Sequence, residues 1–122
     1  MADNYTLEID FKVFERIMQG KCNYIALVND TVRQTYKEGN ILDLVTVIYS
    51  ENGDKKTETV KAEIVNLLYF DTVKDLAHMI GKENIGYTKS ASVDKIEDVM
   101  TLNFSNEDIE KFGLVCVEFV LR

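Results

Sequence analysis

Hydrophobic and polar positions first alternate over Tyr5 to Ile9, where Tyr5, Leu7 and Ile9 share one side of an extended chain, and this predicts an opening strand. The period then changes. Phe11, Phe14, Ile17 and Met18 recur at helical spacing, Asp10 stands where an N-cap would, and Gly20 stands where a helix stops, so a helix is predicted over Asp10–Gln19. Tyr24 to Val28 is apolar almost without a break, the pattern of a strand covered on both faces. Residues 30–40, DTVRQTYKEGN, are polar and end in a Gly39-Asn40 turn, which predicts a loop with room for one helical turn.

Ile41 to Tyr49 is rich in β-branched residues and is followed by Asn52-Gly53, the pair that favours a hairpin. The returning strand runs from about Lys56 to Tyr69. In it Val60, Ala62 and Ile64 alternate with Lys61 and Glu63 before the pattern turns wholly apolar. Thr72 to Ile80 is an amphipathic helix with Val73, Leu76, Ala77 and Ile80 on one stripe, Thr72 and Asp75 spaced as a capping box, and Gly81 as its stop. Val93, Ile96, Val99 and Met100 mark another short helix. Ser105–Phe112 is a further one, with Ser105 and Asp108 spaced as a cap, and Leu114 to Leu121 is a closing strand that should pair deep in the sheet.

A chain of 122 residues fits a single domain, 1–122, and its 46% hydrophobic and 29% charged residues exclude the disordered class. No apolar run approaches the roughly 20 residues needed to cross a bilayer. The N-terminus lacks the basic-then-apolar order of a signal peptide, so a cytoplasmic protein with no membrane partner is expected. The net charge of −7 is weighted towards residues 91–122 and argues against non-specific nucleic-acid binding over most of the surface. Lys12, Arg16, Lys21, Arg33 and Lys37 offer a local basic face, interleaved with Glu15, Asp30 and Glu38. Two cysteines and one histidine make no metal framework, so no metal or cofactor is expected. Cys116 reads as a small buried hydrophobe, and His78 lies off the apolar stripe of its helix.

The order of these elements, with the segments FERIMQGKCNYIALVND, VNLLYFDTVKDLAHMIG and SNEDIEKFGLVCVEFVL, resembles the ASCH family of the PUA-like superfamily over nearly the whole chain. The resemblance implies an α+β fold: a PUA-like (ASCH) β-barrel flanked by short helices, with helices Asp10–Gln19 and Thr72–Ile80 over its open ends. Family members follow the first helix with glycine, any residue, lysine, two residues, glutamate, one residue and arginine, lining a pocket at the barrel mouth. Here the glycine is Gly20, but the lysine, glutamate and arginine positions are Cys22, Ile25 and Leu27. Residues 25 and 27 of a strand share a face, which carries an acid and a base in a typical member and two aliphatic groups here.

The family includes amidohydrolases acting on acetylated nucleosides, and its fold is associated with RNA binding. Amide hydrolysis needs a group that activates water and donors for the oxyanion, and Ile25 and Leu27 supply neither. A nucleophilic Cys22 would need a base within reach. The expectation is therefore a non-catalytic binding module for RNA or a nucleotide-like ligand in the cleft beside the N-terminal helix. Lys21 would meet a phosphate, Cys22 would lie at the motif position, Asn23 and Asn29 would bond polar edges, and Tyr24 or Tyr87 would stack on a base. The alternatives are an amidohydrolase-like enzyme working through Lys21, Glu63 and Tyr69, and a protein-interaction domain with an apolar mouth, which the acidic balance favours.

Overall fold

The computed structural model describes residues 4–100 and 106–122. Five strands, β1 (Asn4–Glu8), β2 (Tyr24–Val28), β3 (Ile41–Tyr49), β4 (Lys55–Phe70) and β5 (Leu114–Leu121), form one mixed sheet in the order β1-β3-β4-β5-β2. β1 runs parallel to β3 and every other pairing is antiparallel. The helices are α1 (Phe11–Met18), α2 (Val73–Ile80), α3 (Val93–Met100) and α4 (Asn106–Phe112), with a single 3-10 turn at Arg33–Thr35 inside the polar loop. The fold is thus α+β. The capping residue Ser105 expected for the last helix lies outside the described residues. None of the helices is long and apolar enough to cross a membrane.

The inward face of all five strands contributes to one core: Leu7, Ile25, Leu27, Leu42, Leu44, Ala62, Ile64, Val115, Val117 and Phe119, joined by Val13 and Ile17 of α1. Edge strands β1 and β2 meet in the same cluster, so the sheet bends strongly around it. Among the described residues no ladder joins β1 to β2, and the expected barrel is present as a bent, open sheet. The loop that leaves β2 spans towards the other edge. Tyr36 is buried in the core, its ring centroid 4.6 Å from that of Tyr5 on β1, and the Tyr5 hydroxyl lies 2.9 Å from Thr35 Oγ1.

A second core lies on the opposite face of β2, β5 and the end of β4, where Val28, Leu114 and Cys116 meet Val73 and Leu76 of α2, Ile85, Ala91 and Ile96 of α3. β4 serves both cores because its register slips between Ile64 and Asn66. Ala62 and Ile64 face the first core. Without the slip, strict alternation would turn Asn66 inward; Val65 absorbs the step, so Leu67 faces the first core while Leu68 and Phe70 face the second.

α1 begins at Asp10, whose carboxylate accepts from the Lys12 N–H at 3.0 Å. Its buried side is Val13, Phe14 and Ile17: Phe14 and Ile17 of the expected stripe are covered, while Phe11 and Met18, 39% and 53% exposed, are not, and Val13 turns inward beside them. The packing reason is Val13. It lies against Gly86, where an added Cβ would come within 2.9 Å of its Cγ1, and this fixes which side of α1 turns inward. α2 behaves as its pattern requires, with Val73, Leu76 and Ala77 buried, Thr72 Oγ1 accepting from the Asp75 N–H at 3.1 Å, and His78 exposed.

Deleting Val65 should remove the slip while leaving every flanking residue opposite its present partner, so the variant should fold and unfold cooperatively. Deleting Leu67 either keeps the slip and turns Phe70 towards the first core, or closes it and sets Asn66 inward opposite Val117, so in both cases the urea midpoint should fall well below that of the Val65 deletion. The comparison is read from denaturation curves; the reverse ranking would place the slip elsewhere.

Candidate functional site

The turn that carries Lys21 is built from the helix end before it. Gly20 adopts φ +75, its N–H donates to Ile17 O at 3.0 Å, and the Lys21 N–H donates to Arg16 O at 3.0 Å, the paired bonds of a Schellman stop. The backbone of Lys21 is therefore fixed while its side chain stays exposed. Cys22 locks the next step. Its thiol donates to Tyr24 O at 3.1 Å and to Asn84 O at 3.0 Å, tying the turn to the segment between α2 and α3. Burial pushes the Cys22 thiol pKa up, outweighing the Tyr24 backbone hydrogen bond and the Arg16 charge, which pull it down. A buried, protonated thiol that spends its hydrogen on carbonyls is a fastener and not a nucleophile.

The other expected residues divide around this turn. The Asn23 side chain is exposed, while the Asn23 backbone carbonyl accepts from the Phe119 N–H at 3.0 Å. Tyr24 is half-buried on the face of the second core; partial desolvation, followed by the Glu118 carboxylate it hydrogen-bonds, raises its pKa. Tyr87 packs against both cores, and burial, with the nearby Asp10 carboxylate adding to it, drives its phenol pKa strongly up. Asn29 stands apart, beyond the far end of β2, about 16 Å of strand away at roughly 3.3 Å per residue. Its N–H donates to Gly113 O at 3.0 Å, and its buried Oδ1 has no hydrogen-bond partner among the described residues.

Ile25 and Leu27 face the same side as expected, and that side is packed core: they are 4% and 8% exposed. The enzyme candidates do not converge. Glu63 is engaged by Arg122, and Tyr69 lies six residues further along β4, roughly 20 Å of strand. Of the five cations read as a local basic face, Arg33 pairs with Asp30 at 3.5 Å and lies over the Tyr36 ring at 5.9 Å, away from the Lys21 turn in the loop between the sheet edges. Among the described residues no group of three or more histidine, cysteine or carboxylate side chains is placed to hold a metal ion.

Two open clefts flank α2. One, of about 310 Å³, lies at its N-terminal end and is lined by Asn29, Tyr69, Asp71, Asp75 and Phe112. The other, of about 580 Å³, runs along one side of α2 from Lys74 in its first turn to Gly81 at its stop, against the 81–89 segment, where Lys74, His78, Lys82 and Lys89 meet a single carboxylate, Glu83. Sequence reasoning missed these lysines, because they are spread over fifteen positions of an acidic chain and converge only when the 81–89 segment folds back. The one signal was Gly81 followed directly by Lys82.

No family model and no curated protein matches this chain. Among solved structures, hypothetical protein PH0355 is similar with a TM-score of 0.74 at 19% identity, over 98% of this chain and 99% of that one. Protein PF0455 from Pyrococcus furiosus is similar with a TM-score of 0.67 at 17% identity, over 99% and 97%. At these identities the likeness is one of fold.

Gly86→Ala should cost about 1–3 kcal/mol in urea denaturation, from its φ of +96 and the Val13 contact together; adding Val13→Ala should relieve only the steric part. The thiols predict alkaline sensitivity. Burial raises Cys22 above the ordinary thiol value of 9.0 and pushes Cys116 up to about 12. As pH rises past 9 the unfolded chain loses these protons first, so their contribution to stability is whole below that pH and declines above it, for Cys116 until about 12. Denaturation midpoints should fall from about pH 8 to about pH 10; a flat profile would contradict the assignment.

Proposed function

We propose that this protein is a non-catalytic binding module of PUA-like shape, a divergent relative of the ASCH family, that takes RNA or a nucleotide-like ligand beside its N-terminal helix. The observation that carries the reading is the Lys21 turn: an exposed cation on a backbone pinned by the Gly20 stop and by the Cys22 thiol, set against the segment that presents Lys82 and Lys89. A cation on a fixed support meets a phosphate with less loss of freedom than one on a mobile loop. The barrel-like part of the reading is supported by the bent sheet whose inward face gathers side chains from all five strands, and by the loop that reaches from β2 to Tyr5 on the opposite edge. The non-catalytic part is supported by Ile25 and Leu27, which fill the core where the family motif carries ionisable groups.

Asn23 and Lys21 are the side chains of the turn that reach solvent, and they are the ones that would touch the ligand. Tyr24 and Tyr87 are half-buried and would offer ring edges at the rim rather than open faces. Binding to a short oligoribonucleotide, measured by fluorescence anisotropy, should weaken as salt is raised. Lys21→Ala should weaken it to a similar degree for every sequence and reduce the salt slope by about 0.7. Binding indifferent to both salt and Lys21 would sink the reading, and turnover of acetylated nucleosides by the protein would sink its non-catalytic part.

A further inference from the structure

We propose that the cleft between one side of α2 and the 81–89 segment, lined by Lys74, His78, Lys82 and Lys89, is the site that holds the phosphate groups of this ligand; the inference rests on the reading above and adds where the anion sits. The cleft is large enough for more than one phosphate, at about 580 Å³, and it concentrates three lysines in a protein of net charge −7. Opposing that charge is one lining carboxylate, Glu83, which reaches only Lys89, and at 3.9 Å. Among the described residues Lys74 and Lys82 form no ion pair.

Basic residues near a helix C-terminus ordinarily serve to offset the helix dipole and bond its last carbonyls. Here two of those carbonyls already have partners that are not lysines: Ala77 O accepts from the Gly81 N–H at 3.0 Å and Ile80 O from Asn84 Nδ2 at 2.6 Å, while Lys74 stands in the first turn, away from the helix C-terminus. The floor is also fixed. The Asn84 N–H donates to Gly81 O, the Tyr87 N–H donates to Lys82 O, and Asn84 O is held by the Cys22 thiol, so the cleft and the Lys21 turn share one rigid segment. A ligand meeting Lys21 at one side of residues 81–87 would find Lys82 and its neighbours at the other. Phosphates are the chemistry this set fits, whether on an RNA strand or on a free nucleotide, since lysines act as point charges for them without demanding a base sequence.

The test compares Lys74→Glu/Lys82→Glu with Lys55→Glu/Lys56→Glu, a pair of equal charge change on the exposed hairpin, using a ten-uridine oligonucleotide and inorganic pyrophosphate as separate probes. The cleft pair should weaken oligonucleotide binding at least about tenfold more than the hairpin pair and lower the salt slope by about 1.4, for two lost phosphate contacts. Pyrophosphate should shift the backbone amide resonances of residues 74–89, and the cleft pair should abolish the shifts. Oligonucleotide binding weakened equally by both pairs would overturn the cleft and leave the Lys21 reading standing. Pyrophosphate shifts without oligonucleotide binding would keep the cleft and assign its phosphates to a small nucleotide. If neither probe perturbs residues 74–89, the inference fails; if the oligonucleotide also fails to bind elsewhere, the RNA reading fails with it.

Discussion

One strand belongs to two hydrophobic cores, and the rest of the molecule is arranged around the slip that allows it. A strand of strict period two can offer each face only one parity of residue, yet β4 needs Ala62 and Ile64 on the side of α1 and then Leu68 and Phe70 on the side of α2 and α3. Val65 changes the parity. The cost is one unpaired residue, 37% exposed; the gain is that Asn66 stays out of the first core, where an amide without a partner would be expensive. β5 needs no such device, because Leu114 to Val117 are buried on both faces and either parity is apolar.

The same two-core plan places the candidate site. Tyr87 touches both cores, Gly86 lies against Val13 of α1, and the Cys22 thiol reaches across to Asn84, so residues 84–87 fasten the α2–α3 layer to the start of β2. These contacts are short-range and largely buried, which is why the side chains beside them, exposed Lys21 and half-buried Lys82 above all, project from a support with little freedom to move. The acidic balance of the chain does not contradict a local cationic region. With a screening length of about 8 Å at physiological ionic strength, a phosphate in the cleft responds to the lysines that line it far more than to carboxylates on distant elements. The two clefts beside α2 differ in sign accordingly, with Asp71 and Asp75 lining one and Lys74, His78 and Lys82 lining the other.

What the sequence determined by itself is everything decided over a few residues: strand and helix periods, the stops at Gly20 and Gly81, the Thr72 cap, and the shared face of Ile25 and Leu27, because each follows from backbone geometry and the polarity of near neighbours. The edge of the α1 stripe was not among them. Phe14 and Ile17 were legible as covered, but Phe11 and Met18 are as apolar as Val13, and it is Val13 that packs against Gly86, seventy-three residues further along the chain. Tertiary structure alone decided the parallel pairing of β1 with β3, the bent sheet with β1 and β2 at its edges, the separation of Asn29 from Lys21, and the meeting of Lys74, Lys82 and Lys89 around one cleft. Those outcomes depend on which distant surfaces exclude water together, and burial of that kind carries no local periodicity for a sequence to display.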